Sequence, residues 1–119
     1  MPNLNQLPDD SISAINDHLK TEFELDEADI AEMTVDYISN LERLIREVEA
    51  SLANANAAAL KKAGHSIKGV AGNLGSNSIS FSGRFIEDNA TQGFNPEIFK
   101  PALQSISRQY EKLKAENKQ

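Results

Sequence analysis

Apolar residues recur every three or four positions along most of this 119-residue chain, which is the spacing of one face of an α-helix. The longest run follows Asp26 and Asp29, whose spacing resembles a capping box at a helix start. Its apolar face comprises Ile30, Thr34, Tyr37, Ile38, Leu41, Ile45, Val48 and Leu52. No segment alternates polar and apolar residues as a half-buried β-strand does. The pattern therefore predicts an all-α protein.

Breaks in this pattern divide the chain into five predicted helices. A short first helix, over about residues 8–19, begins at Pro8, because proline is tolerated in a first turn. The four longer helices that follow span about residues 27–52, 56–74, 77–91 and 96–115. Their short connections predict one domain over residues 1–119, an antiparallel four-helix bundle with the short helix docked on it.

Residues at the predicted helix ends supply the caps. Asn77 or Ser78 is expected to cap the fourth helix, and Asn95 with Pro96 has the chemistry of a cap and first residue for the last helix. Pro101 lies so deep in that last helix that it must either kink the helix or mark its true start.

Charge and composition exclude several classes of function. The net charge is −6, with 13 acidic and 3 basic residues in the first 50 positions against 5 and 9 in the remainder. An acidic chain without a basic, aromatic stripe is a poor nucleic-acid ligand. No apolar run is long enough for membrane insertion, and without cysteine there is no disulfide or thiol nucleophile. We expect a soluble monomer whose cytoplasmic location rests on its function.

The segment AGHSIKGVAGNLGS, residues 63–76, places four glycines in a predicted helix, although each costs about 1 kcal/mol relative to alanine there. At 100° per residue, the apolar positions of this helix lie opposite His65. The residues within about 60° of His65 are small or cationic. They are Ala58, Lys61, Lys62, Lys68, Gly69 and Gly72. This bare, cationic surface beside an exposed imidazole indicates a docking site for a phosphoryl donor, whereas Gly64 and Gly75 are predicted to be structural.

Other catalytic motifs fail on spacing. GHSIKGVA has the two glycines of a P-loop but valine where the phosphate-binding lysine belongs, and no GxGxxG, HExxH or GxSxG occurs. The chain has only two histidines, too few for a multi-histidine metal site, and His18 is interpreted as a surface residue.

The stretch HSIKGVAGNLG resembles the H-x-[LI]-K-G-x-x-x-x-[LI]-G signature of histidine-containing phosphotransfer (HPt) domains, followed at the expected distances by Ile79 and by Ile86-Glu87. Two positions depart from the family pattern. Gly64 stands where alanine is usual, and Gly83 stands where another small residue is common.

The resemblance implies a phosphorelay carrier without kinase or phosphatase activity of its own. His65 would accept a phosphoryl group from a receiver-domain aspartate and pass it to another, Lys68 would stabilise the phosphate, and Glu87 would accept a hydrogen bond from Nδ1. The implied partners are receiver domains of response regulators or of a hybrid histidine kinase. No cofactor is expected on this chain, because the receiver would bring Mg²⁺.

Two alternatives remain open. One is a helical adaptor whose histidine is incidental. The other is the phosphoacceptor region of a histidine kinase, although such a helix would normally carry an acid where Ser66 stands, and no nucleotide-binding motif follows.

Overall fold

The computed structural model describes residues 9–117, and all their regular elements are helical, which confirms the all-α prediction. The five α-helices are α1 (Ile12–Phe23), α2 (Glu27–Ala53), α3 (Ala57–Asn73), α4 (Asn77–Asn89) and α5 (Lys100–Glu116). A 3-10 turn, Pro96–Phe99, precedes α5. None of these helices is both long and apolar enough to cross a membrane.

The four long helices pack side by side as a bundle. Helix α3 packs against α2 on one side and α4 on the other, α5 contacts both α2 and α4, and α1 lies on α2. Every helix contributes to one buried apolar cluster. Its largest fully buried side chains are Tyr37, Phe99, Ile15, Leu19, Leu41, Leu44, Leu60, Ile67, Ile79, Ile86, Ile106 and Leu113. The recurrence of apolar residues therefore identified the buried faces correctly.

Helix α1 begins later than the sequence predicts. Ser11 is its N-cap and accepts a hydrogen bond from the amide of Ala14 at 3.1 Å, and the helix continues to Phe23. The predicted span of about 8–19 is therefore wrong at both ends, because residues 9–11 are not helical and the helix is capped at Ser11. Pro8 itself lies outside the described residues.

The cap of α4 also differs from the prediction. The N-cap residue is Ser76, which makes no side-chain capping bond. The carboxylate of Asp10 instead accepts hydrogen bonds from the amides of Ser78 at 3.1 Å and Ile79 at 3.0 Å. The assignment of the cap to Asn77 or Ser78 was wrong because the capping group comes from a residue far away in the sequence.

Pro101 marks the true start of the last α-helix. It lies in the first turn of α5, where its missing N–H costs nothing. Asn95 caps the preceding 3-10 turn, accepting from the Glu97 amide at 3.0 Å. The predicted helix over 96–115 is thus a 3-10 turn followed by α5.

The turn between α3 and α4 is a Schellman motif. Gly75 has a φ of +73°, its amide donates to Gly72, and the Ser76 amide donates to Ala71 at 2.9 Å. The structural role predicted for Gly75 is confirmed. His18 lies half-buried over this turn, and its Cγ is 2.7 Å from the point where a Cβ on Gly75 would stand. It is therefore a packing residue rather than the predicted surface histidine.

Candidate functional site

The imidazole of His65 projects from the exposed face of α3. Its side chain is 67% exposed, whereas Leu60, Ala63 and Ile67 on the opposite face are buried. The residues predicted to share its face are exposed, except that Lys68 is half-buried. The predicted orientation of the helix is therefore correct.

Two glycines bring the backbones of α3 and α4 into contact beside His65. A Cβ on Gly64 would lie 2.6 Å from the amide nitrogen of Glu87 and 2.9 Å from the carbonyl oxygen of Gly83. A Cβ on Gly83 would lie 2.7 Å from the amide nitrogen of Lys68 and 2.9 Å from the carbonyl oxygen of Gly64. Real Cβ atoms do not approach other atoms so closely, so the crossing requires glycine on both helices. The structural role predicted for Gly64 is confirmed.

This crossing places Glu87 between two polar side chains of α3. Its Oε2 lies 2.6 Å from Nδ1 of His65, and its Oε1 accepts a hydrogen bond from Nζ of Lys68 at 2.6 Å. The Glu87 side chain is only 16% exposed, against 38% for Lys68. The contact that the resemblance implied between Glu87 and His65 is therefore present, and Lys68 joins it through the same carboxylate.

The charge of Glu87 determines the tautomer of the neutral His65 imidazole. The hydrogen bond from the Lys68 ammonium is the largest effect on the pKa of Glu87 and lowers it; burial, the second largest, raises it, and the bond to His65 lowers it further, so the net shift is downward. Glu87 is therefore a carboxylate at neutral pH and can only accept hydrogen bonds. It follows that Nδ1 of His65 carries the proton, which leaves the lone pair of the neutral imidazole on Nε2.

The surface around His65 is bare at Gly69, where a Cβ would meet no atom within 4 Å. Gly72 is also exposed, although a Cβ there would lie 3.4 Å from Oγ of Ser80 on α4. Lys61 and Lys62 are exposed, and within residues 9–117 no carboxylate pairs with them. Among the described residues, these two lysines therefore lack the neighbouring carboxylate that Glu87 provides for Lys68.

Within residues 9–117 no group of three or more His, Cys, Asp or Glu side chains is arranged to hold a metal ion. What the site offers is an exposed nucleophilic nitrogen, a carboxylate behind the ring and a cation one helical turn away. An imidazole held this way can attack an electrophilic phosphorus atom, because the carboxylate offsets the positive charge that develops on the ring.

A family model described as Hpt domain matches residues 32–116. This chain belongs to the Hpt domain family. Hpt domains are phosphotransfer carriers of two-component systems, so the chain has that general role. No curated protein and no solved structure matches the chain. The match to the Hpt family leaves out α1 and the residues before it, which include Asp10.

Sequence reasoning missed two contributions to this candidate site. It predicted a structural role for Gly64 and noted Gly83 as a departure from the family pattern, but it did not connect either glycine with Glu87, which their close crossing brings within reach of His65. The available signal was that both glycines stand where the family pattern has another small residue. It also missed Ser80, whose hydroxyl donates to the carbonyl of Lys68 at 2.9 Å. No local pattern marks that contact.

Proposed function

We propose that His65 accepts a phosphoryl group from the aspartyl phosphate of a receiver domain and passes it to the aspartate of another receiver. The observation that supports this most strongly is the bond between Nδ1 of His65 and the Glu87 carboxylate, because it leaves Nε2 as the nucleophile on the exposed side. The general role of the Hpt family supports the same reaction class.

In the proposed step, the lone pair of Nε2 forms a bond to phosphorus as the bond from phosphorus to the aspartate oxygen breaks. The leaving group is the aspartate carboxylate, and no proton needs to move because His65 keeps its proton on Nδ1. The ring becomes positively charged, and the Glu87 carboxylate at 2.6 Å stabilises that charge. The same protonated ring is a good leaving group when phosphorus moves on, so the arrangement supports transfer in both directions.

The three lysines near His65 have different tasks in this proposal. Lys68 is anchored by Glu87 within one turn of the imidazole, where its ammonium can stabilise the phosphoryl oxygens. Lys61 and Lys62 are exposed and flank the approach to the ring, together with Ala58, Gly69 and Gly72, where they would attract an acidic receiver. The receiver is expected to supply Mg²⁺. The cytoplasmic location and the monomeric state remain predictions.

The test is phosphoryl uptake from a phosphorylated receiver, measured as acid-labile phosphate on the chain. His65→Gln should abolish uptake while helicity and melting temperature stay near those of the wild type, because the side chain is exposed and contributes little to packing. His18→Gln is the control for the other histidine: His18 packs on the turn between α3 and α4, so its loss can lower the melting temperature, but the folded variant should still take up phosphate.

Labelling of His65→Gln at the wild-type level would overturn the assignment. A wild-type chain that binds receiver and takes up no phosphate would instead favour the helical adaptor.

A further inference from the structure

Asp10 is a buried carboxylate that the proposed chemistry does not use. The residue is 8% exposed and lies just before α1. Its carboxylate accepts three hydrogen bonds, from the hydroxyl of Ser76 at 2.5 Å and from the amides of Ser78 and Ile79. Because Ser76 makes no capping bond itself, Asp10 is the side chain that caps α4.

Further hydrogen bonds hold Asp10 in this position from α2 and α5. The hydroxyl of Tyr37 donates to Ser76 at 2.8 Å, and burial is the main cause that raises the pKa of Tyr37, which keeps this phenol a neutral donor. On the other side, the amide of Asp10 donates to Oε1 of Gln109 at 2.9 Å, and Nε2 of Gln109 donates to Ser78 at 2.8 Å. The start of α4 is thus fixed by a network that reaches three other parts of the chain.

The first turn of α4 is linked to the candidate site by a hydrogen bond to Lys68. Ile79, whose amide Asp10 holds, is followed by Ser80, and the Ser80 hydroxyl donates to the backbone carbonyl of Lys68. Helix α4 therefore contacts Lys68 through three of its residues. Ser80 meets its carbonyl, Gly83 packs on its amide nitrogen, and Glu87 binds its ammonium.

We propose that Asp10 is a positioning residue for the phosphotransfer site: by capping α4 it fixes Ser80 against α3 and so holds Lys68 in register with Glu87. This inference rests on the proposed function, which it deepens by adding a residue outside the part of the chain that matches the Hpt family. Without the cap, the first turn of α4 has no side-chain partner for its amides and frays. The Ser80 bond is then lost, and Lys68 has one fewer constraint on its backbone.

The experiment compares three aspartate-to-alanine variants. Asp10→Ala removes the cap of α4. Asp9→Ala is the matched control one residue away, where the side chain is 35% exposed and pairs with Arg108. Asp26→Ala removes the cap of α2, which bonds the Asp29 amide at 2.9 Å, and so controls for a loss of helix stability at a distance from α4. All measurements are made at a temperature where each variant is folded.

The readouts are the NMR signals of Lys68 and of the His65 ring in the unphosphorylated protein, and the rate of transfer from a phosphorylated receiver. Asp10→Ala should shift both sets of signals and slow transfer by about twofold to thirtyfold, the range of coupling through a packed network. Asp9→Ala and Asp26→Ala should leave the signals in place. If Asp10→Ala shifts them no more than Asp26→Ala does, Asp10 has only a stabilising role and the proposal is overturned.

Ser80→Ala removes the hydrogen bond from the start of α4 to the carbonyl of Lys68 while Asp10 stays in place. This variant is the one to measure if Asp10→Ala does not fold. It should reproduce the shift at Lys68, and unchanged Lys68 signals in that variant would equally overturn the proposal. Because these signals are recorded without phosphate, a wild-type chain that never becomes phosphorylated would contradict the proposed function alone.

Discussion

Glu87 is the residue on which the two polar side chains of the site depend. One oxygen holds the imidazole of His65 and the other holds the ammonium of Lys68, so the carboxylate orients the nucleophile and anchors the cation together. A glutamine could accept one of these bonds, but it could not offset the charge of the lysine and the ring. The charge of Glu87, and not only its shape, therefore belongs to the site.

The lowered pKa of Glu87 makes its contribution to stability depend on pH. A carboxyl whose pKa is lower in the folded state stabilises the fold above its unfolded pKa, here 4.5, and this stabilisation is lost as the pH falls through the folded value. Glu87→Gln should therefore lower the free energy of unfolding at neutral pH and have less effect at about pH 3. Urea denaturation of both proteins at each pH measures the difference, and an equal effect at both would contradict it.

Ser82 on α4 is a buried residue whose hydroxyl is expected to lower the stability of the fold. Its side chain is fully buried, and its hydroxyl has no hydrogen-bond partner among the described residues. Because an unsatisfied buried hydroxyl keeps its desolvation penalty, Ser82→Ala should raise the free energy of unfolding by about 1 kcal/mol. Thermal and urea denaturation test this. Ser105→Ala is the contrasting variant, since the Ser105 hydroxyl accepts a bond from Gln109 at 3.1 Å, and it should destabilise the fold.

At the scale of helices, the contact between α3 and α4 is set by Gly64 and Gly83. Gly64→Ala would place a methyl group 2.6 Å from the backbone nitrogen of Glu87, so one helix must move. We expect a loss of about 1–3 kcal/mol in the free energy of unfolding, as for other overpacked contacts. We also expect the bond between Glu87 and His65 to lengthen, which NMR of the His65 ring would report.

The matched variant for this prediction is Gly69→Ala on the same helix. Gly69 has open space around it, so alanine there should raise the free energy of unfolding by about 0.4–1 kcal/mol. Opposite signs for the two substitutions are the expected result. A stable Gly64→Ala variant with an unchanged His65 signal would show that the crossing tolerates a side chain.

At the scale of the whole molecule, the sequence predicted the features that follow from helical periodicity. It did not predict the features that depend on contacts between residues far apart in the chain. Helical spacing identified the core and the exposed face of His65, because burial follows the 3.6-residue period. The cap of α4 was missed because Asp10 is separated from Ser78 by 68 positions, and no local pattern reports such a pair. The 3-10 turn before α5 was missed because Asn95-Pro96 signals a helix start without specifying its type.

The distribution of charge across the molecule fits its proposed partner. The exposed lysines beside His65 belong to the basic part of the chain, whereas the acidic residues are concentrated in the first 50 positions. A receiver with an acidic pocket would therefore be attracted to the lysines of α3 and repelled by the acidic residues of α1 and α2. Lys61→Ala should slow association with a receiver at low salt and have less effect at high salt, which stopped-flow measurements at two ionic strengths can test.

The bare surface at Gly69 leads to the last prediction, which separates docking from chemistry. If a receiver approaches Nε2 of His65 over this face, a glutamine there would block it, although the Cβ of that glutamine would meet no atom within 4 Å in the isolated chain. Gly69→Gln should therefore fold at least as well as the wild type, lose receiver binding and transfer, and still react with a small donor such as phosphoramidate. Gly69→Ala is the control and should retain all three properties. Normal receiver binding by Gly69→Gln would show that the partner does not approach over this face, whereas loss of reaction with phosphoramidate would show that the substitution disturbs His65 itself.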